Sequence, residues 1–253
     1  MNEPIIRSPL VILAAGKGTR IRVGDQSLPK PLVEVGGIPL LKRCILTANQ
    51  VGIDRFVVIT GYDGERVRTA IEQDSELQSF EIIWVHHDQY DLNNGVSVLQ
   101  ARPFVNEPFF ITMADHVLTS ELYTTLAGAP SKGDLALAVD YKLQDIFDME
   151  DATKVLLNQT QQIIDIGKEI QKYNAVDTGL FFCTPKVFDI LQNCLDETGN
   201  ASMSEGVQRL SILNRAFGID IGAGWWQDVD DLSTRAHAEQ LLKQYSKQGD
   251  FNV

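Results

Sequence analysis

The stretch that decides the fold reads "LAAGKGTRIRVGDQSLPKPLVEVGG" and occupies residues 13–37. It overlaps the end of an unbroken apolar run over residues 10–14, which is typical of a parallel strand buried on both faces. Directly after that run, Gly16 and Gly18 stand on either side of Lys17. Glycines let the backbone turn its N–H groups inward as an anion-binding nest. The stretch therefore predicts an anion-binding loop after a buried strand.

Apolar runs and helical patterns alternate outward from this loop. Strand-like runs begin at Phe56, Phe80 and Pro108, and stretches with helical spacing begin at Pro39 and Glu65. Strands that alternate with helices indicate right-handed βαβ units. The fold class we predict is α/β, a mostly parallel twisted sheet with helices on both faces. Ligands of such sheets bind at the carboxyl ends of the strands.

The second half of the chain has a different pattern. Between residues 152 and 168, two apolar runs flank a polar turn at residues 158–161, which predicts an antiparallel β-hairpin. Ser202 and Glu205 have the spacing of a capping box at the start of a helix. The last helical pattern, over residues 232–245, is amphipathic, and we expect that helix to pack on the outside of the sheet.

The composition is that of an acidic protein with enough apolar residues for a substantial core. Hydrophobic residues make up 44% of the 253 positions, and the formal net charge is −12 with a pI near 4.7. Nucleic acids and anionic membranes bind basic faces, so we expect neither as a partner. Cys44, Cys183 and Cys194 are widely spaced, which predicts core thiols in a reducing compartment rather than disulfides or a zinc site.

The sequence also bears on location. Its N-terminus has no basic region followed by a long apolar stretch, which argues against a signal peptide. No segment reaches the roughly 18 apolar residues that a membrane span requires. We therefore expect a cytoplasmic protein with no membrane insertion.

Two common nucleotide motifs fit the glycine loop poorly. A dinucleotide fingerprint would need a third glycine where Ile21 stands, and no Gly-Lys-Ser/Thr closes the segment as a Walker A loop would. What remains is an anion nest to which Lys17, Arg20 and Lys30 add positive charge. Such a loop suits a triphosphate, although the residues alone leave open an ordinary turn with solvated cations.

The motif "LAAGKGTR", followed by "LPKPLVEVGGIPLL", resembles the signature of the sugar-phosphate nucleotidylyltransferase superfamily. The resemblance implies a glycosyltransferase-A-like α/β fold in which the glycine loop wraps the β- and γ-phosphates. It also implies that Lys30 lies near the α-phosphate and that Arg20 and Lys30 are catalytic. The loop residues implied to bind the nucleotide are Leu13, Ala14, Ala15, Gly16, Lys17, Gly18, Thr19 and Arg20.

The stretch "HHDQYDLNNGVSVLQA" is similar to a pattern of phospho-alcohol cytidylyltransferases. That resemblance implies that Asn94, Gly95 and Ser97 contact the cytosine nucleotide. His87 and Asp88 stand where the pattern has Asn-Pro, which leaves the base preference open.

Two acidic motifs point to a metal. "MADH" places Asp115 after a strand, and "WWQDVDDL" places Asp228 at the end of another. The superfamily holds Mg²⁺ with two such carboxylates, and Mg²⁺ prefers hard oxygen ligands. We predict Asp115 and Asp228 as the metal ligands, and we expect Asp230 or Asp231 to cap the last helix.

The stretches "DATKV", "DIGKEIQKYNAVDTGLFF" and "SMSEGVQ" resemble those of inositol-1-phosphate cytidylyltransferases. The resemblance implies that a catalytic Lys168 holds the acceptor phosphate and that Asp177 and Thr178 bind its hydroxyls, with Gly179 in the same segment. Lys168 at an exposed strand end is the alternative. Asp177 lies in an apolar strand, which favours a functional role for it. A buried carboxylate costs several kcal/mol unless it is paired with another group or takes part in binding.

The resemblance covers nearly the whole chain. It implies one nucleotidylyltransferase domain over residues 1–253, with a nucleotide-binding half at about 1–118 and a hairpin-rich acceptor-binding half at about 119–253. The implied reaction joins CTP to a phosphorylated alcohol, foremost inositol 1-phosphate, with Mg²⁺, and gives CDP-inositol and pyrophosphate.

Several alternatives stay open at this point. They are a sugar-1-phosphate nucleotidylyltransferase, a choline-phosphate or phosphonate cytidylyltransferase, and a catalytically silent nucleotide-binding regulator. The regulator is disfavoured because Asp115, Asp228 and Lys30 are all present. In relatives the transferase is often fused to a membrane-embedded alcohol phosphotransferase. The chain stops at Val253 without a span, so we expect a separate downstream membrane-bound CDP-alcohol phosphotransferase as a partner. A homodimer is a further open expectation.

Overall fold

The computed structural model describes residues 6–21, 28–128 and 133–246. The sequence interpretation of residues 1–5 lies outside these ranges, as do the ends of the predicted 1–253 domain. The strands in the described ranges are β1 (Leu10–Ala14), β2 (Glu34–Val35), β3 (Ile38–Pro39), β4 (Arg55–Thr60), β5 (Glu81–His86), β6 (Phe109–Met113), β7 (His116–Leu118), β8 (Leu135–Asp140), β9 (Lys154–Leu157), β10 (Ile163–Gly167), β11 (Ala175–Cys183), β12 (Ala216–Asp220) and β13 (Trp226–Asp228). The α-helices are α1 (Leu40–Asn49), α2 (Gly64–Glu72), α3 (Asn94–Leu99), α4 (Glu121–Ala127), α5 (Lys186–Thr198), α6 (Met203–Ile212) and α7 (Leu232–Ser246).

The first half of the chain builds the parallel part of the main sheet. β1 lies between β4 and β6 and is parallel to both, and β5 adds to β4 in parallel. Leu13 at the end of β1 is in register with Ile59 on one side and Met113 on the other. The carboxyl ends of these strands therefore lie at one edge of the sheet. The glycine loop follows β1 at this edge, and Asp115 follows β6. The predicted α/β fold is confirmed.

The second half adds antiparallel pairings through β11. This strand pairs with β6, β8 and β9, and the predicted hairpin forms from β9 and β10. The register between β11 and β8 shifts between Asp177 and Phe181. Such an irregularity redirects the backbone locally, and it falls on the segment predicted to bind the acceptor.

Helices cover both faces of the main sheet, as predicted. Leu10, Ile12 and Ala14 of β1 belong to the apolar cluster that includes α1, α2 and α4. Val11 and Leu13 belong to the opposite cluster, which includes α3, α5 and α6. Because successive strand residues face opposite sides, one apolar strand anchors both layers of the core.

Two other predictions meet different outcomes. The capping box is confirmed, since Ser202 Oγ accepts from the Glu205 amide at 3.1 Å and Glu205 Oε2 accepts from the Ser202 amide at 2.7 Å. The expected place of the last helix was wrong: α7 packs on β13 and β2, in a small cluster with Val35, Val117 and Trp225, rather than on the main sheet. In the described ranges, no helix combines the length and apolar character needed to cross a membrane.

The cysteines lie in the core, as predicted. Cys44, Cys183 and Cys194 are buried free thiols. Cys44 belongs to the α1 side of the sheet, whereas Cys183 and Cys194 belong to the α5 side.

Candidate active site

The glycine loop follows β1 and packs on the segment that carries Lys30. The Ala15 carbonyl accepts a hydrogen bond from the Tyr62 amide at 3.0 Å, which fixes the start of the loop. Gly18 has a φ of +58°, a left-handed conformation that other residues rarely adopt. A Cβ at Gly18 would also overlap the Lys30 side chain. Glycine is therefore required here, so that the loop can lie directly against Lys30.

Lys30 is the buried cation of the site. Its side chain is 10% exposed, and its Nζ donates hydrogen bonds to Asp115 Oδ2 at 2.6 Å and Asp230 Oδ1 at 2.5 Å. Burial opposes the charge, but the two carboxylates outweigh it and raise the pKa of Lys30. Burial also opposes a charge on Asp115, yet Lys30 and the neighbouring His116 hold the pKa of that carboxyl well below its usual range. Both groups are thus ionised at neutral pH.

Ion pairs continue from Lys30 as a row of alternating charges. Asp230 bridges two cations, because its Oδ2 lies 2.8 Å from Arg20 Nη2 while its Oδ1 accepts from Lys30. Asp151 bridges the next two, accepting from Arg20 Nη1 at 2.9 Å and from Lys168 Nζ. We call this arrangement the ion-pair row, whose members in order are Asp115, Lys30, Asp230, Arg20, Asp151 and Lys168. It brings together all three residues that were predicted to be catalytic.

The outer members of the row are exposed. The side chains of Arg20 and Lys168 are 57% and 52% exposed, so each of their ion pairs contributes about 0–1 kcal/mol to stability. The hydrogen bond from Lys168 lowers the pKa of Asp151, and Arg20 acts in the same direction. These carboxylates hold the two cations in place but not tightly, and a phosphate oxygen can replace them at little cost.

A cavity of about 360 Å³ opens beside the row. We call it the loop cavity, and its lining includes the predicted residues Gly16, Lys17, Gly18, Thr19, Arg20 and Lys30. Lys17 pairs with Asp91 at 2.6 Å, and its Nζ lies 5.6 Å from the centroid of the Tyr90 ring. Leu13, Ala14 and Ala15 are buried beneath the loop. The lining thus carries three cations, Lys17, Arg20 and Lys30, and the three carboxylates with which they are paired, Asp91, Asp115 and Asp230.

The residues predicted to contact the cytosine nucleotide lie on α3. Asn94 Oδ1 accepts a hydrogen bond from the Met203 amide at 2.9 Å, which ties the start of α3 to the start of α6. Gly95 packs so closely on Ala201 that a Cβ would lie 2.7 Å from the Ala201 carbonyl oxygen. Ser97 is buried. Packing thus explains why residue 95 is glycine, and base contact by Asn94, Gly95 and Ser97 stays a prediction.

Asp228 lies on β13, beside the first carboxylate of the row. It is opposite His116 in the β7–β13 pair, and the next amide, that of Val229, donates to the Asp115 carbonyl at 2.9 Å. Burial raises the pKa of Asp228, and the charges of Asp230 and Asp115 act in the same direction. Carboxylates that crowd each other in this way favour a hard divalent cation.

The predicted pair Asp115 and Asp228 therefore fits Mg²⁺ chemically. Among the described residues, no group of three or more His, Cys, Asp or Glu side chains has an arrangement that could hold a metal ion. Mg²⁺ characteristically takes one or two carboxylates and completes its shell with phosphate and water oxygens. Asp115 and Asp228 supply the two carboxylates that this behaviour requires.

Asp177 lies near His116, where β11 leaves its regular pairing. Asp177 Oδ1 accepts a hydrogen bond from the Gly179 amide at 2.7 Å. Burial raises the pKa of Asp177 to about 6, against the opposing effects of that hydrogen bond and of His116. Gly179 has a φ of +78°, and a Cβ there would overlap the His116 ring. The irregular segment thus accommodates the imidazole beside the carboxyl group.

The predicted contact of Thr178 with the acceptor does not fit the structure. Thr178 is fully buried, and its hydroxyl donates a hydrogen bond to the Ala138 carbonyl at 2.9 Å. Adjacent residues of a strand face opposite sides, which is why Thr178 points away when Asp177 lies near His116. The Thr178 hydroxyl is therefore engaged in holding β11 to β8.

Three residues of the site were missed from the sequence. Asp230 was considered only as one of two candidates for the cap of the last helix. That cap is made by the other candidate, Asp231, whose Oδ1 accepts from the Ser233 amide at 2.8 Å and the Thr234 amide at 2.9 Å. Asp151 opens the motif "DATKV" and His116 ends the motif "MADH", but neither was given a role. Their positions directly beside recognised motifs are the signal that could have revealed them.

Comparison with known protein families identifies the family of this chain. The sequence profile of the MobA-like NTP transferase domain matches residues 10–210. The chain belongs to this family. The MobA-like NTP transferase domain thus includes the glycine loop, Asp115, Asp151 and Lys168. The predicted resemblance to nucleotidylyltransferases is confirmed.

Relatives give a more detailed context. The chain is 30% identical over 249 residues to a bifunctional IPC transferase and DIPP synthase from Rubrobacter xylanophilus, covering 94% of this chain and 52% of that protein. It is 28% identical over 233 residues to a protein of the same description from Aquifex aeolicus, covering 92% of this chain and 51% of that protein. The chain spans about half the length of these curated relatives.

A solved structure is similar over most of its length. The inositol-1-phosphate CTP transferase from T. maritima superposes with a TM-score of 0.81 and 26% sequence identity, covering 90% of this chain and 91% of that one. The likeness includes both the parallel half and the antiparallel half of the sheet, since nearly all of each chain is covered.

Proposed function

We propose that this chain transfers the cytidylyl group of CTP to inositol 1-phosphate, giving CDP-inositol and pyrophosphate. The observation that carries the proposal is the ion-pair row, in which Arg20 of the glycine loop and Lys168 of the acceptor half share the Asp151 carboxylate. One cation from each half is thus paired with the same carboxylate. That spacing suits a reaction between two phosphates. The description of the T. maritima neighbour supports the choice of substrates.

In the proposed reaction, an oxygen of the inositol phosphate attacks the α-phosphorus of CTP. A new P–O bond forms, and the bond from the α-phosphorus to the oxygen that bridges to the β-phosphate breaks, so that pyrophosphate leaves with the electron pair. The nucleophile is already an anion and requires no general base. Catalysis then depends on bringing two anions together, and such positioning can lower a barrier by roughly 7 to 11 kcal/mol.

The residues of the row have distinct tasks in this scheme. Lys30 neutralises charge on the α-phosphate, and Arg20 takes oxygens of the departing pyrophosphate in its fork. Lys168 holds the acceptor phosphate. Each cation exchanges a carboxylate partner for a phosphate oxygen when substrate binds, and Asp230 and Asp151 keep the cations apart and oriented until then.

Asp115 and Asp228 would hold Mg²⁺. When bound, the ion would supply Lewis-acid charge stabilisation to the triphosphate oxygens. His116 supports this task by hydrogen bonding the Asp115 carboxyl group at 2.7 Å, so that the carboxylate orientation is set from the protein side.

We also propose a downstream partner. The curated relatives are described as bifunctional and extend well beyond the matched half, so CDP-inositol would pass to a CDP-alcohol phosphotransferase in the membrane. The cytoplasmic location and the homodimer stay predictions.

Pyrophosphate release tests the proposal. The purified chain is incubated with Mg²⁺ and CTP, with and without inositol 1-phosphate, and UTP and ATP replace CTP in parallel. Glucose 1-phosphate and choline phosphate serve as comparison acceptors. Release that needs both CTP and inositol 1-phosphate supports the assignment. Release only with glucose 1-phosphate, or only with choline phosphate, would reassign the acceptor.

A further inference from the structure

A second cavity, of about 410 Å³, lies on the other side of the acidic strand end. Asp228 forms part of its wall, whereas Asp230, two residues further on, faces the loop cavity. Asp148 and Ala152 line the second cavity too, and Asp151 between them belongs to the ion-pair row. The second cavity is therefore lined by residues that are close in sequence to Asp230 and Asp151 of the ion-pair row.

Aromatic faces form one side of the second cavity. Phe147, Trp225 and Trp226 are among its lining residues. Phe147 is stacked on His237 with ring centroids 4.3 Å apart, which fixes its orientation although the side chain is 50% exposed. Flat aromatic surfaces bury the C–H faces of a ring that is polar only at its edge.

Polar groups of both kinds surround these faces. Asp145 and Asp148 offer acceptor oxygens, and Lys142 and Gln244 offer donors. A hydroxyl both donates and accepts, so a mixed lining of this kind suits a ring that carries many hydroxyls. The lining holds four carboxylates, Asp140, Asp145, Asp148 and Asp228, and one cation, Lys142, which is paired with Asp140 at 2.8 Å, so a cationic ligand is the competing occupant that choline phosphate tests.

We infer that the second cavity binds the polyol ring of the acceptor, with Phe147 and Trp226 as its apolar platform. The inference rests on the proposed function for the orientation of the acceptor, whose phosphate points towards Lys168. It moves recognition of the hydroxyls from Thr178, which is buried, to the side chains of the 140–152 segment and β13.

One substitution tests the platform by kinetics. Phe147→Ala should raise the KM for inositol 1-phosphate about tenfold and leave the KM for CTP unchanged. Phe104→Ala is the matched control, because Phe104 is similarly exposed, at 41%, but does not line the second cavity. An unchanged KM for inositol 1-phosphate in the Phe147 variant, with active wild type, overturns the inference.

A direct binding measurement separates this inference from the proposed function. Two of the three tryptophans, Trp225 and Trp226, line the second cavity, and Trp84 lies on β5. Inositol 1-phosphate alone should therefore change the tryptophan emission of the wild type, with about tenfold weaker binding in the Phe147 variant. This result would support the cavity even if no pyrophosphate were released, in which case only the proposed function fails. No change in emission, or a change with choline phosphate alone, overturns the cavity assignment.

Discussion

The Arg20 guanidinium lies 2.9 Å from the Asp151 carboxylate, across 131 positions of the chain. Arg20 belongs to the loop after β1, and Asp151 precedes β9 in the antiparallel half. The contact lies beside the loop cavity. It joins the two segments that were predicted to bind different substrates. Because both partners are partly exposed, the pair organises the cleft more than it stabilises the fold.

Asp151→Asn should therefore have little effect on stability. Removing this carboxylate charge should change the free energy of unfolding by less than about 1 kcal/mol, as for other exposed ion pairs. Urea unfolding of the variant and wild type measures the difference, with Asp165→Asn as a carboxylate control outside the row. A loss of several kcal/mol would show that Asp151 holds the two halves together.

Lys30→Ala should reduce turnover by roughly 10²- to 10³-fold, because the α-phosphate loses its buried countercharge. Lys42→Ala is the matched control: Lys42 also bridges two carboxylates, Asp74 at 2.7 Å and Glu76 at 2.6 Å, but lies outside the cleft. Steady-state pyrophosphate release compares the two variants. Equal activity in both would remove Lys30 from the mechanism.

Asp228→Asn should increase the Mg²⁺ concentration required for half-maximal activity by about tenfold or more. The amide keeps the size of the side chain but loses the charge that a hard cation prefers. Asp220→Asn on β12 is a control of the same chemistry. Chelation by EDTA should abolish wild-type activity and added Mg²⁺ should restore it. A Mg²⁺ dependence unaltered by Asp228→Asn would assign the ion to other ligands.

Asp177 should make stability fall as pH rises. Its pKa is about 6 in the folded chain against an ordinary value of 3.8, so between these values the unfolded state is ionised while the native carboxyl keeps its proton. The native state therefore loses stability from about pH 4 to pH 6, and the loss persists above pH 6. Asp177→Asn should accordingly be more stable than wild type by about 1 to 3 kcal/mol at pH 7.5 and nearly equal at pH 4.

Urea unfolding of both proteins in dilute solution across this pH range measures the difference. The amide oxygen that Asp177→Asn introduces can still accept the hydrogen bond from the Gly179 amide, so the comparison isolates the charge. A constant difference between the variant and wild type at all pH values would contradict the raised pKa.

Gly179→Ala should destabilise the chain more than Gly199→Ala. The two glycines have nearly the same backbone conformation, with φ of +78° and +75°, so both substitutions carry a similar backbone strain of about 1 kcal/mol. Only at Gly179 would the new Cβ overlap side chains, those of His116 and Met113, since nothing lies within 4 Å at Gly199. Thermal unfolding of both variants gives the difference, and equal losses would show that His116 and Met113 move freely aside.

The elements with strong local patterns were predictable from sequence. The buried run of β1, the hairpin of β9 and β10, and the Ser202 capping box each depend on neighbouring residues, and each forms as predicted. The position of α7 was not predictable in this way, because its apolar face fits several surfaces. Only the tertiary structure shows that Trp225 and Val35 cover it.

The candidate site shows the same division. Motifs identified Arg20, Lys30 and Lys168 as cations for phosphates, and the structure brings them into one row. Their carboxylate partners were harder to find, because Asp230 and Asp151 gain meaning only when distant segments meet. The burial of Thr178 was not predictable from the motif. The direction of its side chain depends on the alternation of β11, which turns the hydroxyl towards the Ala138 carbonyl of β8.

The buried cysteines allow local unfolding of the chain to be measured by thiol modification. Burial raises the pKa of Cys44 to about 12 and also raises the pKa of the Cys183 thiol, and thiols without thiolate character react slowly. Because Cys44 and Cys183 lie on opposite faces of the sheet, the rates at which a thiol reagent modifies them record separately how often each helical layer detaches. The chain thus allows local unfolding to be timed layer by layer without any introduced label.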